Sequence, residues 1–408
     1  MTFQAKRRID YWVGGLLLAL LFVPVRILGV TLRRDHTTVR RRGCAVIKLV
    51  GAGSLFLAMP SMLEIRKRFP KGGFFLVGTP AVIKVARQFG WFDEYWVVDD
   101  GSVVRLIVSV VRVLWRMGTR ADHLIDLEVH SRFTTLLTVL STVRNRIGFV
   151  DEIVFWRRGF YTHMTFFNVH GPVFVFYDLL ARWFGVEAVS VTAFNDGFRR
   201  QVMAALLPPG TLRPGPYIAV GHACSELSRE RMLRPDEWKR LLSPVLLAGH
   251  EIVFLGGPAD VASADAVIAE LGRGRNLCGK LDIVQSAKVA GRAAVYYGID
   301  SMLLHLARAL GVPAVSVFGP TDPAVLLRPL GRRERVAFAR LPCSPCIHVN
   351  ETPPCQGRRT CMALALETLV DSPNQEPAVA RDVPTPPPVG WEVDPSAARV
   401  NEVSVTCS

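Results

Sequence analysis

At 408 residues the chain is too long for one small domain; at roughly 100–200 residues per domain it holds two domains with extra segments. Half of it is hydrophobic, 21% is charged and the mean hydropathy is +0.26, which excludes a largely disordered protein and points to membrane contact. The net charge of +14 implies an anionic partner, and eight cysteines are too sparse for a disulfide scaffold.

Basic residues crowd the N-terminal arm, residues 1–42. Lys6, Arg7, Arg8, Arg26, Arg33, Arg34 and Arg40 to Arg42 face only Asp10 and Asp35. Between the clusters lies the uncharged run YWVGGLLLALLFVPV, Tyr11 to Val25. A spanning helix needs about 20 apolar residues, and this run stops at Pro24 and Arg26. No A-x-A cleavage site follows, so a secretory signal is not expected. The pattern predicts a segment lying in, or re-entering, the cytoplasmic leaflet, with a spanning helix and a buried core helix as the alternatives. Charge placed beside an apolar run suits lipid better than nucleic acid, so no nucleic-acid partner is expected.

The next stretch alternates strand and helix. CAVIKLV (Cys44–Val50) is β-rich and ends in Gly51 and Gly53, before the helical LFLAMPSMLEIRKRF. FFLVG (Phe74–Gly78), YWVVDD (Tyr95–Asp100), HLIDLE (His123–Glu128) and RIGF (Arg146–Phe149) are further strands. AVIKVARQFG and SRFTTLLTVLS read as helices between them, and VVRLIVSVVRVLWRMG as a helix or a buried mixture. The order predicts a doubly wound parallel sheet. From Val150 to Arg200 the pattern weakens. That stretch, FWRRGFYTHMTFFNVHGPVFVFYDLL, is aromatic and carries Arg157, Arg158, His163 and His170. It suits an acceptor- or membrane-facing surface, or equally a hydrophobic helix pair packed on the sheet.

TLRPGP (Thr211–Pro216) has a linker's composition, and the alternation then restarts. YIAVG, EIVFLGG (Glu251–Gly257), AVYYGID (Ala294–Asp300) and AVSVFG (Ala314–Gly319) are strands, separated by PDEWKRLLSPVLLAG, ADVASADAVIAEL and SMLLHLARALG. The expected organisation is an N-terminal Rossmann-like domain over 43–208, a C-terminal one over 209–370, and a cleft between facing sheets. The Pro- and Val-rich stretch 371–408 has no period and is expected to be a disordered tail.

Candidate site residues fall at strand ends. Lys48, Gly51 and Gly53 form a turn that lets a ligand approach the backbone, though a tight strand-to-helix turn needs glycine anyway. Asp300 and Ser301 stand where a strand gives way to a helix and can cap it; His305 lies one turn on. Gly319, Pro320 and Thr321 form another such turn. No G-x-G-x-x-G with an acidic residue about 20 positions on is present, which excludes a dinucleotide-binding dehydrogenase. Cys343, Cys346, Cys355 and Cys361 offer four thiolates, which suits a structural Zn²⁺ or an iron–sulfur cluster. Cys44, Cys224 and Cys278 read as small core residues.

Taken together these motifs resemble glycosyltransferase family 9, the ADP-heptose:lipopolysaccharide heptosyltransferase-like proteins. The family's D-S-G-P-x-H-x-A, A-L-G-V-P and F-G-P-T are echoed by Asp300, Ser301, His305, Ala307, Ala309–Pro313 and Phe318–Thr321. Ile47–Pro60, Ile125–Phe149, FLGGPAD (Phe254–Asp260) and Cys343–Met362 are further echoes. The resemblance implies a GT-B fold, work at the cytoplasmic face of the inner membrane as a peripheral or monotopic protein, and inverting transfer of heptose or a related sugar. A nucleotide-sugar donor, ADP-sugar favoured, and a glycolipid acceptor are the implied partners, with no cofactor required for catalysis. Two departures stand out. Ser54 occupies the position of the family's catalytic Asp, and Met302 and Leu303 replace its Gly-Pro. Serine is no carboxylate base, so Glu128, at a strand end beside Asp126 and His130, is the expected base. Counting back from Trp238 places Arg231, with Arg229 beside it, at the family's phosphate-binding basic position. Asp300 and His305 would then hold the ribose, phosphate or donor sugar. Gly256 and Gly257 would admit the nucleotide, and Gly319 to Thr321 would close over the phosphates. Ser54 and the Met302–Leu303 change also fit a non-catalytic descendant that binds donor or glycolipid without transfer.

Overall fold

The computed structural model describes residues 8–39, 42–225, 229–330, 334–347 and 353–370. The expected tail, 371–408, lies outside them, as do Lys6, Arg7, Arg40 and Arg41. A π-helical turn, Asp10–Gly14, leads into α1 (Gly15–Leu32). Then come β1 (Cys44–Ile47), α2 (Ala52–Arg66), β2 (Phe74–Gly78), α3 (Pro80–Phe89), β3 (Glu94–Val97) and α4 (Val103–Arg120). β4 (His123–Asp126), α5 (Arg132–Leu140), β5 (Asn145–Val150), β6 (His163–Phe166), α6 (Val173–Arg182) and α7 (Val191–Ala204) complete the first half. The second half runs β7 (Tyr217–Gly221), α8 (Pro235–Leu247), β8 (Glu251–Phe254), α9 (Val261–Leu271), β9 (Arg275–Asn276), α10 (Ile283–Gly291) and β10 (Val295–Ile299). It ends with α11 (Met302–Leu310), β11 (Ala314–Phe318), α12 (Pro323–Leu326), β12 (Glu334–Phe338) and α13 (Thr360–Val370).

Each half folds into one six-stranded sheet, and every described pairing is parallel. The first is ordered β3-β2-β1-β4-β5-β6 and the second β12-β11-β10-β7-β8-β9, the same winding repeated. In each, the order reverses between the first and fourth strands of the half, and the crevice at those carboxyl ends is where such sheets bind ligands. CAVI, FFLVG and AVSVF are buried at every position, as strands covered on both faces must be.

The stretch of weak pattern resolves into β6, α6 and α7. Strands β6, β9 and β12 have no clear sequence signal. β9 is two residues long, and β6 and β12 border their sheets with little burial. A single apolar cluster joins Phe56, Met59 and Phe198 of the first half to Leu304, Leu306 and Leu310 of α11, so the halves pack directly on each other. Arg328 reinforces this with an ion pair to Asp178 on α6, 2.9 Å long, and Ser61 donates to the same carboxylate.

α1 continues through Pro24 and Arg26 to Leu32, so the apolar helix runs further than the uncharged stretch alone predicts. Arg8–Leu32 is long and apolar enough to cross a membrane by length and composition. One side of it is docked. The Asp10 carboxylate accepts from the amides of Arg132 and Phe133 at 3.0 and 2.6 Å, capping α5 from a distant segment. A Cβ on Gly14 would meet Arg132 Cβ at 2.8 Å. Leu18 is buried with Leu136, Phe160 and Tyr161, and Phe22 meets the Phe160 ring edge-on. The aromatic stretch after Val150 is therefore, in part, the seat of α1; it forms a short 3₁₀ turn and an edge strand before α6 begins.

Candidate functional site

Both order reversals carry the residues that the sequence singles out. In the first sheet, β1 ends in Lys48 and the Gly51–Ser54 turn. Gly51 takes a φ of 82°, which a side chain would strain. The Ser54 hydroxyl donates to Gly51 O at 2.8 Å and so stays with its own turn. From β4, Glu128 reaches across to clamp that turn. Its Oε1 accepts from the amides of Leu49 and Val50 at 2.8 and 2.9 Å, and its Oε2 from Lys48 Nζ at 3.1 Å. Three of about four acceptor positions are thus used. Asp126 is fully buried, and its Oδ2 accepts from Arg157, Tyr161 and Thr134. Burial raises its carboxyl pKa despite the Arg157 charge beside it. Asp126 is out of substrate's reach and acts as a structural anchor, its Oδ1 accepting the Glu128 amide.

In the second sheet, Asp300 ends β10 and is buried. Arg231, from the 3₁₀ turn Arg229–Arg231, donates to its Oδ2 and to its main-chain oxygen, both at 3.0 Å, and to Ser225 Oγ at 3.2 Å. His305 Nε2 lies 3.7 Å from Asp300 Oδ1. Burial opposes ionisation here, but His305 and the Arg231 guanidinium outweigh it and hold the carboxyl well below its usual range. Ser301 occupies the N-cap position of α11, yet its hydroxyl makes no capping bond. The expected cap is not formed, and Asp300 is committed instead to the half-buried Arg231 guanidinium. Three buried polar atoms at this edge, Ser301 Oγ, His305 Nδ1 and Thr321 Oγ1, have no partner among the described residues. Buried polar groups are nearly always satisfied, so these three are suited to a ligand.

The halves meet here. A Cβ on Gly53 would contact Met302 and His305 Cδ2 at 3.7–3.9 Å, so the first glycine turn faces the start of α11. The other glycines have local reasons as well. Gly256 and Gly257 close on Asp260, which accepts the Gly257 amide at 2.8 Å. Gly319 is pressed on α13, where a Cβ would meet Cys361 Sγ at 2.8 Å. The Gly319–Thr321 turn is sewn to the cysteine segment: Ser344 donates to Gly319 O, and the amides of Cys346 and Ile347 to Pro320 O.

Cys343, Cys346, Cys355 and Cys361 line one pocket with Pro320 and Arg359. Burial first, then the neighbouring cysteines, push the Cys361 thiol up to about 11. Nearby main-chain amides, that of Arg359 foremost, draw Cys355 down. Among the described residues no three His, Cys, Asp or Glu side chains are set close enough to hold an ion, and 348–352, between Cys346 and Cys355, lie outside them. Cys44 and Cys278 are buried as expected, and Cys224 is half-buried.

Two six-stranded parallel sheets with one winding, packed on each other as α/β halves, define the GT-B class of fold. Residues 178–355 match the model of glycosyltransferase family 9 (heptosyltransferase), the family that the sequence motifs resemble. It is 38% identical over 68 residues, 17% of its length, to lipopolysaccharide heptosyltransferase 1 of Pseudomonas aeruginosa. It is 32% identical over 110 residues, 27% of its length, to the inactive autotransporter heptosyltransferase BimC of Burkholderia thailandensis. These matches span only 19% and 25% of those relatives. Among solved structures, Escherichia coli heptosyltransferase WaaC with ADP-2-deoxy-2-fluoro heptose superposes with a TM-score of 0.59 at 16% identity, over 81% of this chain and 99% of that one. A glycosyl transferase family 9 protein of Veillonella parvula gives 0.57 at 19%, over 74% and 86%. At such identities the likeness shows the fold alone.

Proposed function

We propose that the chain transfers a sugar, heptose or a close relative, from a nucleotide-sugar donor to a glycolipid of the lipopolysaccharide type, with inversion, at the cytoplasmic face of the inner membrane. The observation that carries this is the buried Asp300–Arg231–His305 group at the second sheet's order reversal. There His305 Nδ1 and Thr321 Oγ1 await partners and the glycine turn of the first sheet faces them. An ADP-sugar is favoured because the matched relative is named a lipopolysaccharide heptosyltransferase and WaaC is solved with an ADP-heptose analogue.

In this reading Arg231, with Arg229, faces the donor diphosphate and stabilises the charge of the leaving group. Asp300 holds Arg231 in place and, with Ser301 and His305, positions the sugar or ribose. Gly256 and Gly257 admit the nucleotide, and the Gly319–Thr321 turn closes on the phosphates. Glu128 takes the acceptor proton through its one spare acceptor position, while Lys48, Gly51, Gly53 and Ser54 shape the turn. A structural thiolate-seeking ion on the four cysteines would require them to draw closer together, since among the described residues no three of them are set to hold one. Metal content of the purified chain, against a Cys343→Ser/Cys346→Ser variant, tests that. For the anchor, α1 lies along the domain from Asp10 to beyond Phe22 rather than projecting from it, which favours an in-plane helix over a spanning one.

A second reading, binding without transfer, is favoured by one geometry: the Glu128 carboxylate is paired to Lys48 and to two amides, a poor state for a base. BimC, named inactive, matches over part of the chain. Calorimetric titration with ADP and ADP-heptose, followed by a transfer assay on a lipid acceptor, separates the two. Asp300→Asn should weaken ADP binding by at least about tenfold, since a charged hydrogen bond carries roughly 1.5–3 kcal/mol. Binding without turnover, with turnover restored in Ser54→Asp, would establish the non-catalytic reading. No binding of any nucleotide by the folded chain would remove both.

A further inference from the structure

Helix α4 is turned the wrong way for a protein surrounded by water. Its inner side is ordinary: Ser109, Val113 and Met117 are buried, the two apolar ones against Ala45, Phe75, Trp96 and Leu124 of the first sheet. The opposite side should be polar. Instead Val103, Val104, Ile107, Val108, Val111 and Trp115 are between 53% and 71% exposed. At about 100° per residue these six fall within an arc of roughly 140°. Arg105, Arg112 and Arg116 run along one border of that arc, and VVRLIVSVVRVLWRMGTR contains no acidic residue. Single exposed apolar side chains need no explanation, but a continuous helical stripe of them does.

We propose that this face of α4 seats on an anionic phospholipid surface, making a second membrane contact besides α1; this rests on the membrane reading above. Two observations choose lipid over protein. The first is charge: a purely cationic border beside an apolar face suits anionic headgroups, whereas pairing with a second copy about a two-fold axis would set arginine against arginine. The second is continuity. α4 and α5 both pack on this side of the first sheet, and α1 lies on α5 through Asp10 and Leu18. α1 and α4 therefore flank α5 on one side of the domain. There α1 also turns apolar residues outward, among them Leu16, Leu20, Val23 and Ile27. Two apolar contacts on either side of α5 hold the first domain against the bilayer in one orientation, where a single helix would leave it free to pivot.

The test uses the full chain with a photo-crosslinking p-benzoylphenylalanine at Ile107, at Leu20 of α1, or at exposed Arg199 of α7. Each is irradiated with tagged vesicles of phosphatidylglycerol and phosphatidylethanolamine, and with phosphatidylcholine alone. Lipid adducts at Ile107 and Leu20 on the anionic vesicles, with none at Arg199, are expected. Arg105→Glu/Arg112→Glu should cut vesicle affinity by roughly tenfold at low salt while the melting temperature holds, because both side chains are exposed. Adducts at Leu20 without any at Ile107 would overturn the α4 contact and leave the α1 anchor standing. Adducts at neither would remove the membrane reading itself. Crosslinked dimers from Ile107 would assign the face to a second copy instead.

Discussion

The Asp126–Arg157 pair is closed to water on both sides, and its N···O distance is 2.5 Å. Arg157 also donates to Phe149 O and to Thr135, so little of its guanidinium is left unsatisfied. Removing one partner strands a buried charge, whereas removing both does not. Arg157→Met should therefore lower unfolding stability by about 3–5 kcal/mol, and Asp126→Asn/Arg157→Met should recover much of that loss. Urea midpoints for the three proteins check it; equal losses in single and double variants would show that the pair is not coupled. The same pair bears on the site one step away. Asp126 fixes the Glu128 amide, and Glu128 fixes the turn after β1. A buried carboxylate thus shapes the cleft without entering it.

At the scale of elements, α1 is held to the first domain by an unusual device. The Asp10 carboxylate accepts from the first amides of α5, Ser131 and Asp10 together serving the end of that helix. Asp10→Ala removes the link from both sides. It should cost about 1 kcal/mol of stability and speed proteolytic cleavage within 8–32 several-fold in detergent. Unchanged cleavage would mean that the Leu18 and Phe22 contacts suffice alone. Helix α13 is a second case. It packs over the Gly319 turn, and its first residues include Cys361, so the cysteine segment sits directly against the candidate donor turn.

For the whole molecule, titration of buried and half-buried histidines sets a pH limit. Burial first, then the charges of His36, His123 and Arg146, hold His163 down to about 4. His36 and His222 shift in the same direction, mainly through burial. A histidine depressed in the folded state binds fewer protons than in the unfolded chain between about 4 and 6.5, so stability falls as pH drops through that window. The melting temperature should be level above pH 7, decline from 6.5 to 4, and decline less in His163→Gln. Asp122, held at about 2 against burial by His123 and the amides of Gly43 and Arg42, adds a loss only below about pH 4. A curve flat to pH 4 would show that His163 is solvated in solution.

The alternation of short β-rich runs with amphipathic helices was enough to read two Rossmann-like sheets, because each strand buried on both faces must be apolar throughout. The strand-end motifs pointed to Asp300, His305 and the glycine turns, since a turn that meets a ligand draws on few residue types, whereas Arg231 came only from the family resemblance, counted back from Trp238. Edge strands β6 and β12 escaped because an edge asks little of its side chains. Other facts depend on residues far apart in the chain, and only the tertiary structure decides them. Asp126 is sealed by Arg157 and Tyr161, Glu128 is committed to Lys48 and the turn amides, and Gly319 is crowded by α13. The outward apolar face of α4 belongs with these. In sequence its period fits a core helix equally well, and which side faces out is set by what the sheet already covers.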